Sequence, residues 1–329
     1  MNLKKTIMVT MIISSLCMTL AGPISVKAVS ANEQQQKVEV KKINIDKKLA
    51  AKLQKAVEQY AGKAVKLENV GTSEGENLAI VQSTDGKYGV EFAPNTQKIW
   101  NVFEKIKLNK VSKKVQDETL KYLKKAYSNK KYVFNDEAVK IKFYNNSKSN
   151  ISNDYVMYIL DGKDFNANVR TNPADQGVSV QATIQVDKQS LDSKMLKTAQ
   201  EAIQAGFDHQ FDVKKARLES EWTQREWILQ DDTATVYVLN GKPVSIINEL
   251  GNKVTTSKEL TEKEVKEAIA PLAKQVFNID ISGYTVKWDS LFKDYRFIDK
   301  GQVTVVRAAL DADKNLVYLK TGSRAAAGN

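Results

Sequence analysis

The chain has 329 residues, 42% of them hydrophobic, with 50 Lys and Arg against 39 Asp and Glu for a formal net charge of +11. It carries one histidine and one cysteine. So few of either exclude a disulfide framework and argue against a protein-only zinc site or thiol catalysis, which need several such ligands or a reactive thiol.

Lys4 and Lys5 precede an uncharged run from Thr6 to Gly22, and small residues follow at Val26-Lys27-Ala28 and Val29-Ser30-Ala31. A basic stretch, an apolar stretch and a small-residue exit predict a secretory signal peptide over 1–31, cleaved after Ala28 or Ala31. Cys17 lies inside it, preceded by Leu16 rather than the small residue a lipidation signal expects. The mature chain is then free of cysteine and depends on packing alone. No later run approaches the roughly 20 apolar residues of a membrane helix. The expected location is secreted, extracellular or loosely wall-associated. Charge is uneven along the chain: residues 32–189 hold 27 basic and 19 acidic side chains, whereas 190–329 hold 20 of each.

After a linker at 32–45, helical periodicity appears four times. Leu49, Leu53, Val57 and Tyr60 follow Asp46, and Leu120, Leu123 and Tyr127 follow Ser112. Leu196, Ala199 and Ile203 follow Asp192, and Val265, Ala268, Ile269 and Leu272 follow Thr261. Spacings of three and four put each set on one helical face. Thr261 with Glu264 forms a capping-box pattern, and Pro271 is expected to break or kink the fourth helix or to open a second one. Each helix is followed by four β-rich runs, as in "KKARLESEW", "EWILQDD", "TATVYVLN" and "PVSIINEL". Connections carrying Asp85-Gly86, Asp161-Gly162, Asn240-Gly241 and Lys300-Gly301 predict consecutive antiparallel hairpins. The expected fold class is α+β, with tandem small modules that each pack one helix on a four-stranded antiparallel meander. Their expected bounds are 46–110, 112–188 (the basic one), 190–255 and 257–322, with a disordered tail at 323–329.

The order helix, strands and final "VYVLNGKPVSIIN" hairpin resembles the PepSY family, most clearly over 192–250 and next over 261–322. The resemblance implies non-enzymatic modules that inhibit or chaperone extracellular proteases, or that organise the cell envelope. It carries over no catalytic residue.

Four features bear on chemistry. His209 in "FDHQFD" has no nucleophile-elbow sequence to serve and reads as a surface or loop residue. "DADKN", Asp311 to Asn315, starts like a calcium loop, but Leu316 and Gly322 stand where the turn glycine and the bidentate glutamate belong, so it reads as a hairpin tip. Glu219, Glu221, Glu226, Asp231 and Asp232 surround Trp222 and Trp227, the residue types of a glycosidase. Acids on a small meander face water, however, so the tryptophans are read as core anchors or, if turned outward, as protein-contact candidates. Finally, residues 105–131 hold ten lysines and two acids. Lys113, Lys114, Lys121, Lys124, Lys125, Lys130 and Lys131 are the polyanion-binding candidates, for a wall polymer or a membrane surface. An all-lysine patch without an aromatic–glycine signature disfavours nucleic acid.

The sequence therefore predicts a secreted, non-enzymatic binding protein with no catalytic residue, cofactor or metal. Its partner would be an extracellular protein such as a metalloprotease, met through exposed sheet edges. The alternatives are a wall or matrix protein held by its lysines and, last, a carboxylate-based glycoside hydrolase.

Overall fold

The computed structural model describes residues 41–73, 78–172, 177–221, 224–250 and 260–326. The expected signal peptide, most of the linker and Trp222 lie outside these residues. The chain forms two compact units that meet between Ala182 and Thr183.

The first unit opens with β1 (Lys41–Asn44), a strand where a linker was expected, which pairs antiparallel with β2 (Val70–Ser73). Between them runs α1 (Lys47–Ala61). Asp46 caps it by accepting a 2.8 Å bond from Leu49 N, and Gly62 ends it with φ 67°. The strands then follow as β3 (Ala79–Gln82), β4 (Tyr88–Ala93), β5 (Lys98–Lys107) and β6 (Phe134–Asn145), with α2 (Lys113–Ala126) between β5 and β6. The two-residue β7 (Asn150–Ile151), β8 (Val156–Gly162), β9 (Phe165–Thr171) and β10 (Val178–Val186) complete the series. Leu49, Leu53, Ala56 and Val57 of α1 are buried with Val90, Phe92, Ile99 and Val102 of the sheet beneath. Removing such apolar surface from water is the main stabilising term, at about 1.5–3 kcal/mol per large side chain.

In the second unit, α3 (Ser193–Phe207) precedes β11 (Lys215–Glu221), β12 (Gln224–Gln230), β13 (Ala234–Leu239) and β14 (Lys242–Asn248). Then α4 (Glu262–Phe277) precedes β15 (Thr285–Asp289), β16 (Asp294–Ile298), β17 (Thr304–Leu310) and β18 (Leu316–Thr321). Asn240 and Gly241 both take positive φ, 52° and 75°, as a tight hairpin turn between β13 and β14 requires. Thr261 and Glu264 form the expected capping box. Pro271 neither ends α4 nor divides it. It sits on the exposed side, so the carbonyl that loses its N–H partner, that of Glu267, belongs to an exposed turn. The last turn, α5 (Ser323–Ala326), is helical where a disordered tail was expected.

The expected fold of tandem helix-on-four-strand modules is overturned. Among the described residues the structure is a large antiparallel sheet assembly of eighteen strands with four helices longer than one turn. The ladder runs straight through the expected module boundaries. β5 pairs with β6 from Asn101↔Phe143 to Lys107↔Glu137, and β14 pairs with β18 from Ser245↔Lys320 to Ile247↔Tyr318. A free-standing meander would leave the backbone donors and acceptors of both outer strands unmet, and edge-to-edge pairing satisfies them.

Candidate functional site

The central strands of the first unit carry the clearest concave feature. Val102, Glu104 and Ile106 of β5 stand opposite Lys142, Lys140 and Ala138 of β6. Val102 belongs to the core under α1, so Glu104, Lys140 and Lys142 lie on the same helix-bearing face. Two adjoining hollows open there. One, of about 480 Å³, is lined by Lys87, Glu104, Lys105, Ile106, Lys107, Lys110, Glu137 and Lys140. The other, of about 390 Å³, shares Glu104 and Lys140 and adds Lys142, Asn150, Ile151 and Asn153, with Gln59 and Tyr60 from the end of α1. The trough thus reaches from the C-terminal end of α1 to the Lys110 turn that leads into α2. In the second unit the two helices, α3 and α4, pack against each other.

Six lysines and two glutamates line this trough, Lys105, Lys107 and Glu137 from strand positions that alternate to the other face, and both acids are already engaged. Lys87 Nζ lies 3.1 Å from Glu104 Oε1, and Lys107 Nζ lies 3.1 Å from Glu137 Oε1. Lys105, Lys110, Lys140 and Lys142 have no carboxylate partner among the described residues; Lys142 instead donates to Asn153 Oδ1 at 2.9 Å. Burial, and then the charge of Lys140, holds the Lys142 ammonium below its usual range. The floor is rigid, because Tyr60 donates from its hydroxyl to the Lys140 carbonyl at 3.2 Å and meets Tyr88 edge-on at 6.5 Å.

The lysines singled out from the sequence lie on and just after α2. Val115, Thr119, Leu123 and Ala126 bury its inner face, which leaves Lys113, Lys114, Lys121, Lys124 and Lys125 in solvent. Lys113 pairs with Asp117 at 2.9 Å, Lys121 meets Glu118 at 3.8 Å and the half-buried Lys130 holds Asp164 at 3.0 Å. Lys131 is exposed. The reading of 105–131 as one lysine-rich stretch did not separate Lys105 and Lys110 from α2, and it left out Lys140 and Lys142. The alternation Val139-Lys140-Ile141-Lys142-Phe143 was the available signal, since residues two apart share a strand face.

In the second unit the acids are largely engaged by partners. Glu226 accepts from Arg324 Nε at 3.0 Å and from its Nη2, and the guanidinium also lies 3.8 Å from the Tyr237 ring centre. Glu219 stands opposite Glu226 and 3.3 Å from Arg217 Nε. Trp227 is half-buried opposite Leu218 and Val238, both fully buried, and so shares the core-facing side rather than standing out as a contact residue. Arg307 is 4% exposed and grips Asp294, itself fully buried, with Nε and Nη2 at 2.7 Å each, and reaches Asp289 at 2.9 Å. Tyr318 donates to Asp294 at 2.6 Å. Next to this cluster, burial and the Arg324 and Arg307 charges outweigh the pull of Asp294 and push the buried Lys320 ammonium down to about 8.

His209 is more than a loop residue. Its Nε2 lies 2.6 Å from Asp231 Oδ2 and 2.9 Å from Thr233 Oγ1. Acid and hydroxyl meet the same ring nitrogen, whereas a nucleophilic triad needs them on opposite nitrogens. The arrangement ties α3's exit to the β12–β13 turn. Burial raises the Asp231 carboxyl, but bonds from His209, the Thr233 and Ala234 amides and the Thr233 hydroxyl outweigh it and hold it below the usual range. A depressed carboxyl supplies stability above its unfolded pKa, about 3.9, and loses it as pH falls through the lower folded value. Asp231→Asn is therefore expected to weaken the protein at neutral pH and to converge with wild type in acid. Urea midpoints at pH about 7 and about 3 check this, and parallel pH curves would refute the linkage.

The tip Asp311–Asn315 is a hairpin turn. Asp311 Oδ1 accepts from Asp313 N at 2.9 Å and from Asn315 N at 2.8 Å. Among the described residues, no group of three or more His, Cys, Asp and Glu is placed to hold a metal ion, and no helix is long and apolar enough to cross a membrane. Comparison with family models, with curated proteins and with solved structures finds no match to this chain.

Proposed function

We propose that this protein is a non-enzymatic binding protein that works outside the cell and is held on an anionic polymer by the lysines of its first unit. The observation that carries this is the segregation of charge. Residues 31–182 hold 26 basic and 18 acidic side chains, while 183–329 hold 21 of each. Part of the excess falls on α1, with four lysines against Glu58, and an equal part on α2, with five against Asp117 and Glu118, while the trough adds lysines between them. The basic, apolar and small-residue sequence of the N-terminus supports export, and the PepSY resemblance of 192–250 supports binding rather than turnover.

The rival reading, strand addition to an extracellular protein such as a metalloprotease, loses four of the edges it relied on. β5, β6, β14 and β18 spend theirs on one another. For that reason retention on polyanion is preferred. The purified protein should co-sediment with an insoluble anionic wall preparation at low salt and leave it stepwise as salt rises. The screening length falls from about 10 Å at 0.1 M to about 3 Å at 1 M. Retention through about 1 M salt would sink the electrostatic reading.

A further inference from the structure

We infer that the trough over β5 and β6, rather than the lysine-covered α2, is the seat of the polymer, and that it takes a linear phosphate chain without bases. This deepens the reading of polyanion retention and rests on it. Three lysines of the trough, Lys110, Lys140 and Lys142, meet no carboxylate among the described residues, whereas on α2 Lys113 and Lys121 are answered by Asp117 and Glu118 one turn away. Lys140 and Lys142 sit two residues apart on one strand face, about 7 Å of rise. They are further held by the paired floor beneath them. Ordering cations of like sign in one place costs free energy that only an anion laid along them recovers. The partly desolvated Lys142 ammonium already registers that repulsion.

The shape selects an extended ligand. The two hollows share Glu104 and Lys140, so a chain can pass from one into the other, and the trough stays open to solvent along its length. The lining selects against bases. Its one aromatic residue, Tyr60, has its hydroxyl bound to the Lys140 carbonyl and its ring set edge-on against Tyr88, which leaves no free platform for the stacking that holds single-stranded nucleic acid. No arginine lines it, so there is no planar fork to select one phosphate geometry. Lysine point charges suit a flexible chain with a charge on every repeat.

The experiment titrates the full-length protein with a short inorganic polyphosphate and with a single-stranded DNA homopolymer of equal charge, at several salt concentrations. Lys140→Gln with Lys142→Gln removes the floor charges, and Lys110→Gln removes the rim charge. Lys121→Gln with Lys124→Gln on α2 is the comparison. The floor pair should weaken polyphosphate binding about tenfold and lower the salt slope by about 1.4, near 0.7 for each lost contact, and the rim variant should weaken it about threefold and lower the slope by about 0.7. The α2 pair should stay within about twofold of wild type. Lys110 is exposed, so the rim variant keeps the test decisive if the floor pair fails to fold. Trough variants that bind as wild type does, while salt still strips the protein from the wall preparation, would overturn the trough but leave retention standing. An α2 pair that costs as much as the floor pair would overturn it too. DNA bound as tightly as polyphosphate would overturn the base-free ligand.

Discussion

Arg307→Met is expected to cost the second unit about 3–5 kcal/mol, the usual consequence of removing one partner from a buried ion pair. Asp294 has no exposed surface, and its carboxylate is matched by two guanidinium bonds at 2.7 Å. Methionine keeps an apolar stem against Phe292, whose ring lies 4.7 Å from the guanidinium carbon, so the loss isolates the charge. What remains is a buried anion with the Tyr318 hydroxyl as its hydrogen-bond donor and only the partly discharged Lys320 ammonium nearby. Adding Asp294→Asn should recover part of the loss, because a neutral amide no longer needs the cation and can still accept from Tyr318. The readout is urea unfolding followed by probes in each unit. The transition of the second unit should move and that of the first should not. A cost below about 1 kcal/mol, as for an exposed pair, would mean that water reaches Asp294 and that the cluster is not a buried strut.

Gly89→Ala should cost the first unit about 3 kcal/mol. Gly89 stands directly opposite Phe103, and an added Cβ would lie 2.1 Å from the ring Cζ, with Cε1 and Cε2 at 2.6 and 2.7 Å. The fully buried ring rests on the bare glycine backbone among Ile80, Ile141 and Ile159. It has nowhere cheap to go, and overpacking a tight core commonly costs about 1–3 kcal/mol. The partner test is Phe103→Leu, which opens space at the price of a cavity. If the clash is the cause, the double variant should be more stable than the sum of the single losses by more than about 1 kcal/mol. Additive losses would show that the glycine serves some other end.

Much of the local structure was written in the chain. Asp46, Ser112, Asp192 and Thr261 each cap the helix that the apolar spacing placed after them. Asn240-Gly241 makes the turn its dipeptide demands. What could not be read was how the meanders join. Backbone pairing uses N–H and C=O groups that every residue but proline has, so nothing in "KIWNVFEKIK" says that its far side will meet β6. The charged end of β5, Lys105-Ile106-Lys107, instead looked like the start of a solvated lysine run. The trough was missed for the same reason, since it is assembled from strands some 35 residues apart and exists only once β5 and β6 are paired. The clasp of His209 on Asp231 joins residues 22 apart and has no periodic signature. Trp227 shows the limit of alternation: the residue type was conspicuous, but only the register opposite Leu218 and Val238 fixes the side it takes.

The shared ladders have a practical corollary for anyone who would dissect the molecule. A fragment ending at Lys110 or beginning at Ser112 would cut through a zipper, leaving seven consecutive residue pairs, Asn101↔Phe143 to Lys107↔Glu137, without their mates. Such quarters would seek each other, or copies of themselves, and precipitate before they could be assayed. The smallest pieces worth expressing keep β5 with β6 and β14 with β18.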